Sequence, residues 1–285
     1  YQIWRDIGMK SKLSRFVCLL LAIVLSISLI GCSKKTSTQT STQKESKVIK
    51  LGTLSVNEVF VTALKDALIA KGYKAEIIMF DANNMPAIAT KDGDIDGFIH
   101  NHLPWIETFN KENNSKLIMV KPYLFHGRTG LYSSKHKSLA EIPNGASIAI
   151  PNDPTNLDKS LLMLQDLGLL TLKPKTENFY TELDIKENPK NIKLVGTEIS
   201  VTARSINDAD AVICPASRIK QAGIDPNSFL AEDPASVDFP TGLTVNEKSL
   251  NEQWVKDAME ILTSDAMRAK FDQIYGGANI LYPKQ

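Results

Sequence analysis

Gly145-Ala146-Ser147-Ile148-Ala149-Ile150-Pro151-Asn152-Asp153-Pro154-Thr155-Asn156 is the stretch from which the fold can be read. Ser147 to Ile150 is a short apolar run of strand length, and it enters a turn rich in proline and asparagine. Asp153 then supplies a helix N-cap, with Pro154 at the first helical position, where its missing N–H costs nothing. Leu157, Leu161, Leu162, Leu164 and Leu167 follow at helical spacing, and Gly168 marks the stop.

The same alternation of short apolar runs and longer helical patterns recurs in both directions along the chain. Val48 to Thr53 and Ala75 to Phe80 read as strands around a helix from Val59 to Ala70, closed by Gly72. Further strands are expected at Ile95 to Ile99, Leu117 to Val120, Gly130 to Ser133, Ile192 to Val195, Ala211 to Cys214 and Gly242 to Val245. Further helices are expected over His102 to Asn113 and around Trp254 to Leu262 and Met267 to Tyr275, each with one apolar face. Strands alternating with helices in this way predict an α/β fold of mostly parallel sheets flanked by helices.

The N-terminal region carries a different signal. Lys10, Lys12 and Arg15 precede an apolar run from Phe16 to Ile30, which is too short for the roughly 20 residues of a spanning helix and has the shape of a secretory signal peptide over residues 1–31. Residues 1–8 show no targeting pattern, and Met9 is the more natural start. Leu29-Ile30-Gly31-Cys32 resembles the bacterial lipobox, which implies that Cys32 is lipidated and becomes the first residue of the exported protein. Residues 32–47 are a Ser, Thr, Gln and Lys tract with no large apolar residue, the composition of a flexible tether. The expected location is the extracytoplasmic face of the cell membrane.

Removing residues 1–31 leaves 29 basic against 31 acidic residues, so no basic field for nucleic acid exists. Cys18 leaves with the signal and Cys32 takes lipid, so Cys214 stands alone in the folded part and a disulfide framework is excluded there. The chain contains no Gly-x-Ser-x-Gly elbow, no His-Glu-x-x-His and no glycine-rich phosphate loop, which argues against an enzyme. No cofactor is implied.

Three separated segments together resemble the methionine-binding lipoproteins of the NlpA type. The first is Gly93-Asp94-Ile95-Asp96-Gly97-Phe98-Ile99-His100-Asn101-His102-Leu103-Pro104-Trp105-Ile106, which parallels a family pattern with an aromatic pair followed by Gln-His-x-Pro-Tyr-Leu. The second is the stretch ending Pro151-Asn152-Asp153-Pro154-Thr155-Asn156, and the third is Asp184-Ile185-Lys186-Glu187-Asn188-Pro189-Lys190. The resemblance implies a two-lobed periplasmic-binding-protein fold, with residues 48–131 plus 241–285 in one lobe and 132–240 in the other. It also implies a solute carried between the lobes to the permease and ATPase of an ABC importer: methionine, or a related small amino acid or derivative.

On the family pattern, the ligand contacts would come from His100, His102, Trp105, Asn156, Lys159, Cys214 and Thr241. Several of these depart from it. Lys159 stands where the family has a carboxylate-clamping arginine, and offers a point charge in place of a planar fork. His100 replaces an aromatic residue, Cys214 an asparagine, Thr241 a second asparagine, and Asn83 or Asn84 a tyrosine. The start of the helix at Asp153 is expected to offer backbone N–H groups to a carboxylate. A rival reading uses His100 and His102, which share one side of an extended segment, together with His126 to hold zinc or nickel. A lipoprotein sensor or adhesin with the same fold is a further alternative.

Overall fold

A computed structural model describes residues 47–284, so the expected signal peptide, the expected lipid attachment at Cys32 and nearly all of the expected tether lie outside the described residues. The folded part contains two separate α/β lobes, each organised on its own sheet.

The first sheet is built on β1 (Val48–Thr53), which alternates outward and inward residues and buries Ile49 and Leu51. It pairs in parallel with β2 (Lys74–Met79) on one side and with β3 (Gly97–His102) on the other. Helix α1 (Glu58–Ala70) crosses over between β1 and β2, with Phe60, Val61, Leu64 and Leu68 on its inner face. Helix α2 (Met85–Asp92) precedes β3, and helix α3 (Leu103–Asn113) leaves directly from it. The sheet is extended by β4 (Leu117–Met119) and β5 (Phe125–Gly127).

The chain then crosses to the second lobe, where β6 (Thr129–Tyr132), β7 (Ser147–Pro151) and helix α4 (Pro154–Asp166) carry the Pro-Asn-Asp-Pro-Thr-Asn segment. A small ladder joins β8 (Thr171–Leu172) to β9 (Ile185–Glu187). Next come β10 (Lys193–Thr197), β11 (Ala211–Pro215), helix α5 (Ala216–Gln221) and β12 (Ala231–Glu232), giving the sheet order β10-β7-β11-β6-β12. The chain returns through β13 (Pro240–Asn246), adds helices α6 (Gln253–Thr263) and α7 (Asp265–Tyr275), and closes with β14 (Asn279–Leu281).

Each sheet is mixed, where the sequence pattern predicts mostly parallel strands. β10, β7 and β11 are parallel, as are β2, β1 and β3, but β6 and β13 run antiparallel to their neighbours. The cause is the double crossing. β6 and β13 are the strands by which the chain enters each lobe from the other, so neither arrives by a helical crossover of the kind that makes neighbours parallel.

Two cores follow from this layout. In the first lobe Phe60, Phe125, Phe271 and Tyr275 form one aromatic cluster, with ring centroids as close as 4.5 Å for Phe271 and Tyr275. In the second, Leu161 and Leu164 of α4 pack on Leu131, Ile148, Ile150 and Ile213. Each side chain of this size contributes roughly 1.5–3 kcal/mol by leaving water. Between the lobes, Arg128 lies at the first crossing and donates to Glu232 at 2.5 and 2.7 Å, to Asn227 at 2.8 Å and to the Gly277 carbonyl at 3.0 Å.

Candidate functional site

The C-terminal ends of β1, β3, β7 and β11 face a cleft lined mostly by polar and aromatic side chains. Strand carboxyl ends are where ligands collect in open α/β sheets. His100, His102, Trp105, Asn156, Lys159 and Thr241 all line this cleft. Among the expected residues, Cys214 does not. It is fully buried among Tyr132, Ala149, Val212 and Ile219 in the core beneath, and burial pushes its thiol up to about 12. The alternation along β11 turns Cys214 into the core, and the strand's last residue, Pro215, forms the wall with Ser217 and Arg218 just past it. Of the two asparagines weighed near residue 83, Asn83 lines the cleft and Asn84 precedes α2 as its N-cap.

The first-lobe wall is a connected hydrogen-bond chain. The Tyr275 hydroxyl donates to Asn57 Oδ1 at 2.7 Å, and Asn57 Nδ2 donates to the Ile99 carbonyl at 3.2 Å and to His100 Nδ1 at 3.3 Å. His100 Nε2 then donates to Asn83 Oδ1 at 2.6 Å. Asn57 sits at the N-cap position of α1 but makes no capping bond; its amide is committed to the cleft. His102 does cap its helix, accepting the Trp105 N–H at Nδ1 over 3.2 Å, so its proton resides on Nε2, which reaches Asn156 Oδ1 on the other lobe at 3.3 Å. Burial lowers both imidazoles to about 3, aided by the positive charge of Arg218 near His100 and of Lys159 near His102. Both are neutral at pH 7. With every ring nitrogen of His100 and His102 engaged, neither has a lone pair free for zinc or nickel, and among the described residues no set of three metal-ligating side chains converges.

The second-lobe wall differs from expectation at the helix start. Asp153 accepts the Asn156 N–H at 3.2 Å and the Asn156 amide at 2.9 and 3.0 Å. The positive end of α4 is thus already met by this chain's own carboxylate, which in exchange fixes Asn156 toward His102. Lys159 is not a solvated helix residue. It is 6% exposed, lies 3.3 Å from Asp233 and 3.2 Å from the Ser236 hydroxyl, and stands 4.2 Å over the Phe239 ring. Burial pulls its pKa below the usual lysine value against the opposing pull of Asp233.

Trp105 stacks on Phe109 with centroids 5.4 Å apart and lines the cleft. Asn101 lines the cleft with Oδ1 buried and unpartnered while its Nδ2 donates to the Asn83 carbonyl at 3.3 Å. Arg218, Asn57, Asn101, Phe239 and Asn279 are lining residues that the sequence reading did not single out. Asn101 and Arg218 had a signal to find them by: Asn101 stands between His100 and His102, and Arg218 comes just past the strand that holds Cys214.

The profile of the NlpA lipoprotein family matches residues 49–282, the two lobes in their entirety apart from their outermost residues. The chain belongs to the NlpA lipoprotein family. It is 31% identical over 265 residues to the D-methionine-binding lipoprotein MetQ of Escherichia coli K12, covering 91% of this chain and 94% of that one. It is 32% identical over 268 residues to Lipoprotein 28 of the same strain, covering 92% and 94%. A nutrient-binding protein from Burkholderia cenocepacia, solved bound to methionine, has the same fold, with a TM-score of 0.78 and 26% identity over 82% of this chain and 100% of that one. As an NlpA lipoprotein the chain is a two-lobed solute-binding protein and not an enzyme. Lys159, where the resemblance implies a carboxylate-clamping arginine, is already paired to Asp233, and Arg218 stands elsewhere in the wall.

Proposed function

We propose that this chain is a lipid-anchored solute-binding protein of an ABC importer, holding methionine or a related small amino acid or derivative between its lobes at the extracytoplasmic face of the membrane. The observation that carries the reading is the wall itself: neutral His102 and Asn156 meet from opposite lobes at 3.3 Å across a cleft that Trp105 and Phe239 line with aromatic surface. A ligand seated there touches both lobes at once and stabilises the closed arrangement over the open one. The unpartnered Asn101 Oδ1 offers an acceptor for a ligand N–H.

His100, His102, Trp105, Asn156, Lys159 and Thr241 are proposed as its contacts, with hinges at residues 127–129 and 238–240. Cys32 is proposed as the lipid attachment site, and the permease and ATPase of an importer as partners. The test is thermal unfolding of the purified protein against amino acids, methionine derivatives and zinc, since a ligand that binds only the native state raises the midpoint. A shift with an amino acid or derivative that Trp105→Ala abolishes supports the reading; a shift with zinc alone refutes it.

A further inference from the structure

Resting on the solute-binding reading above, we propose that the solute accepted by this cleft carries a net charge of −1, with a carboxylate set against Arg218. Four ionisable side chains line the cleft, His100, His102, Lys159 and Arg218, and no aspartate or glutamate is among the lining residues. The two histidines are held as neutral donors through Nε2 by Asn83 and Asn156. Lys159 already has its counter-charge in Asp233, itself 3% exposed.

Arg218 has none. It is 7% exposed, its side chain makes one hydrogen bond, to Gln221 Oε1 at 3.3 Å, and it forms no ion pair among the described residues. Glu198, the acid whose field reaches it, is exposed and accepts from Ser200. Asp153 lies behind Asn156 with its oxygens taken by Asn156 and Thr155.

The cleft therefore presents one uncompensated positive charge. A buried guanidinium without a partner is costly, and burial indeed depresses its hold on its proton. A planar fork of donors is suited to a carboxylate. A neutral zwitterion adds one positive and one negative charge and leaves the balance at +1; its ammonium would find only neutral acceptors such as Asn101 while facing two cations. A solute with one carboxylate in excess closes the balance. Two chemical classes supply that excess: an amino acid with an acidic side chain, and an amino acid whose amine is acylated, which also keeps the N–H that Asn101 Oδ1 can accept.

The experiment is titration calorimetry of the purified full chain at pH 7.5 with glutamate, N-acetylmethionine and methionine, in wild type, Arg218→Gln and Arg218→Lys. The expected result is that glutamate or N-acetylmethionine binds at least about tenfold tighter than methionine, the size of one charge-assisted contact. Which of the two binds separates the acidic side chain from the blocked amine. Arg218→Gln removes the preference and raises the ligand-free melting temperature, because a buried unpaired charge is gone; Arg218→Lys keeps part of the preference and shows that the loss follows the charge, not the fold. Methionine binding as tightly as either monoanion overturns the inference and leaves the solute-binding reading standing. Heat from none of the three in wild type overturns both.

Discussion

Lys159→Ala tests whether the lysine at the family's clamp position is primarily part of the second lobe's own structure. Removing it strands the Asp233 carboxylate, which is 3% exposed and 3.3 Å from its cation in the wild type. Breaking one partner of a buried pair costs roughly 3–5 kcal/mol. Asp233 retains two donors, the Ala235 N–H at 3.0 Å and the Ser236 hydroxyl at 3.3 Å, so the loss belongs at the low end, about 3 kcal/mol. In ligand-free protein this moves the urea midpoint down by about 1 M or more. Replacing both partners, Lys159→Met with Asp233→Leu, removes the stranded charge and returns stability to within about 1.5 kcal/mol of wild type. A single-mutant loss below about 1 kcal/mol, or a double mutant whose loss equals the sum of the singles, refutes the reasoning, because the pair would then be uncoupled.

The two cleft histidines make stability depend on pH. Their folded values near 3 lie below the unfolded 6.5, so the unfolded chain binds the protons first; the contribution is complete above pH 6.5 and is lost as pH falls toward 3. Each ring takes about 2 kcal/mol from stability between pH 7 and 5, and denaturation curves for His100→Gln with His102→Gln should lose that slope. Tyr275→Phe deletes the donor 2.7 Å from Asn57 Oδ1, and thermal melts should record a loss of about 1–2 kcal/mol. Cys214, fully buried and with its thiol pushed up to about 12, should not react with a chromogenic disulfide reagent in native protein and should react stoichiometrically in urea.

The architecture was legible because its signals are local. The Ser147 to Gly168 unit carries its strand, cap, proline and stop within one contiguous segment, and β7 and α4 occupy it with Asp153 capping and Gly168 at φ +69°. The sequence pattern does not show helix α2: Met85–Asp92 holds eight residues with an irregular apolar pattern, and only Pro86, Ala87, Ala89 and Thr90 are buried. Strand β3 begins at Gly97, not Ile95, because Gly93 adopts a left-handed φ of +87° and Asp96 spends its carboxylate on the Lys50 N–H at 2.8 Å. In the site, His102 and Asn156 follow from the motifs that carry the family resemblance, and both line the cleft. Arg218 does not follow from them, since its meaning depends on what lies opposite: burial on one side and the lack of a nearby acid on the other. Cys214 lies outside the site for the converse reason: the resemblance supplies its position along β11, and the alternation of the strand turns its side chain into the core.

The placement of β1 has a mechanical consequence. It is the first described strand, it lies inside its sheet between two parallel partners, and it is paired along its full length with β2. Lys47, immediately before it, pairs with Asp96 at the entrance to β3. Tension arriving from the N-terminal side pulls along the strand axis, so the hydrogen bonds of the ladder are loaded in shear and share the force, where an edge strand pulled sideways would open them one by one. A domain held by its N-terminal end and displaced by flow or by a docking partner is thus gripped through a ladder loaded in shear.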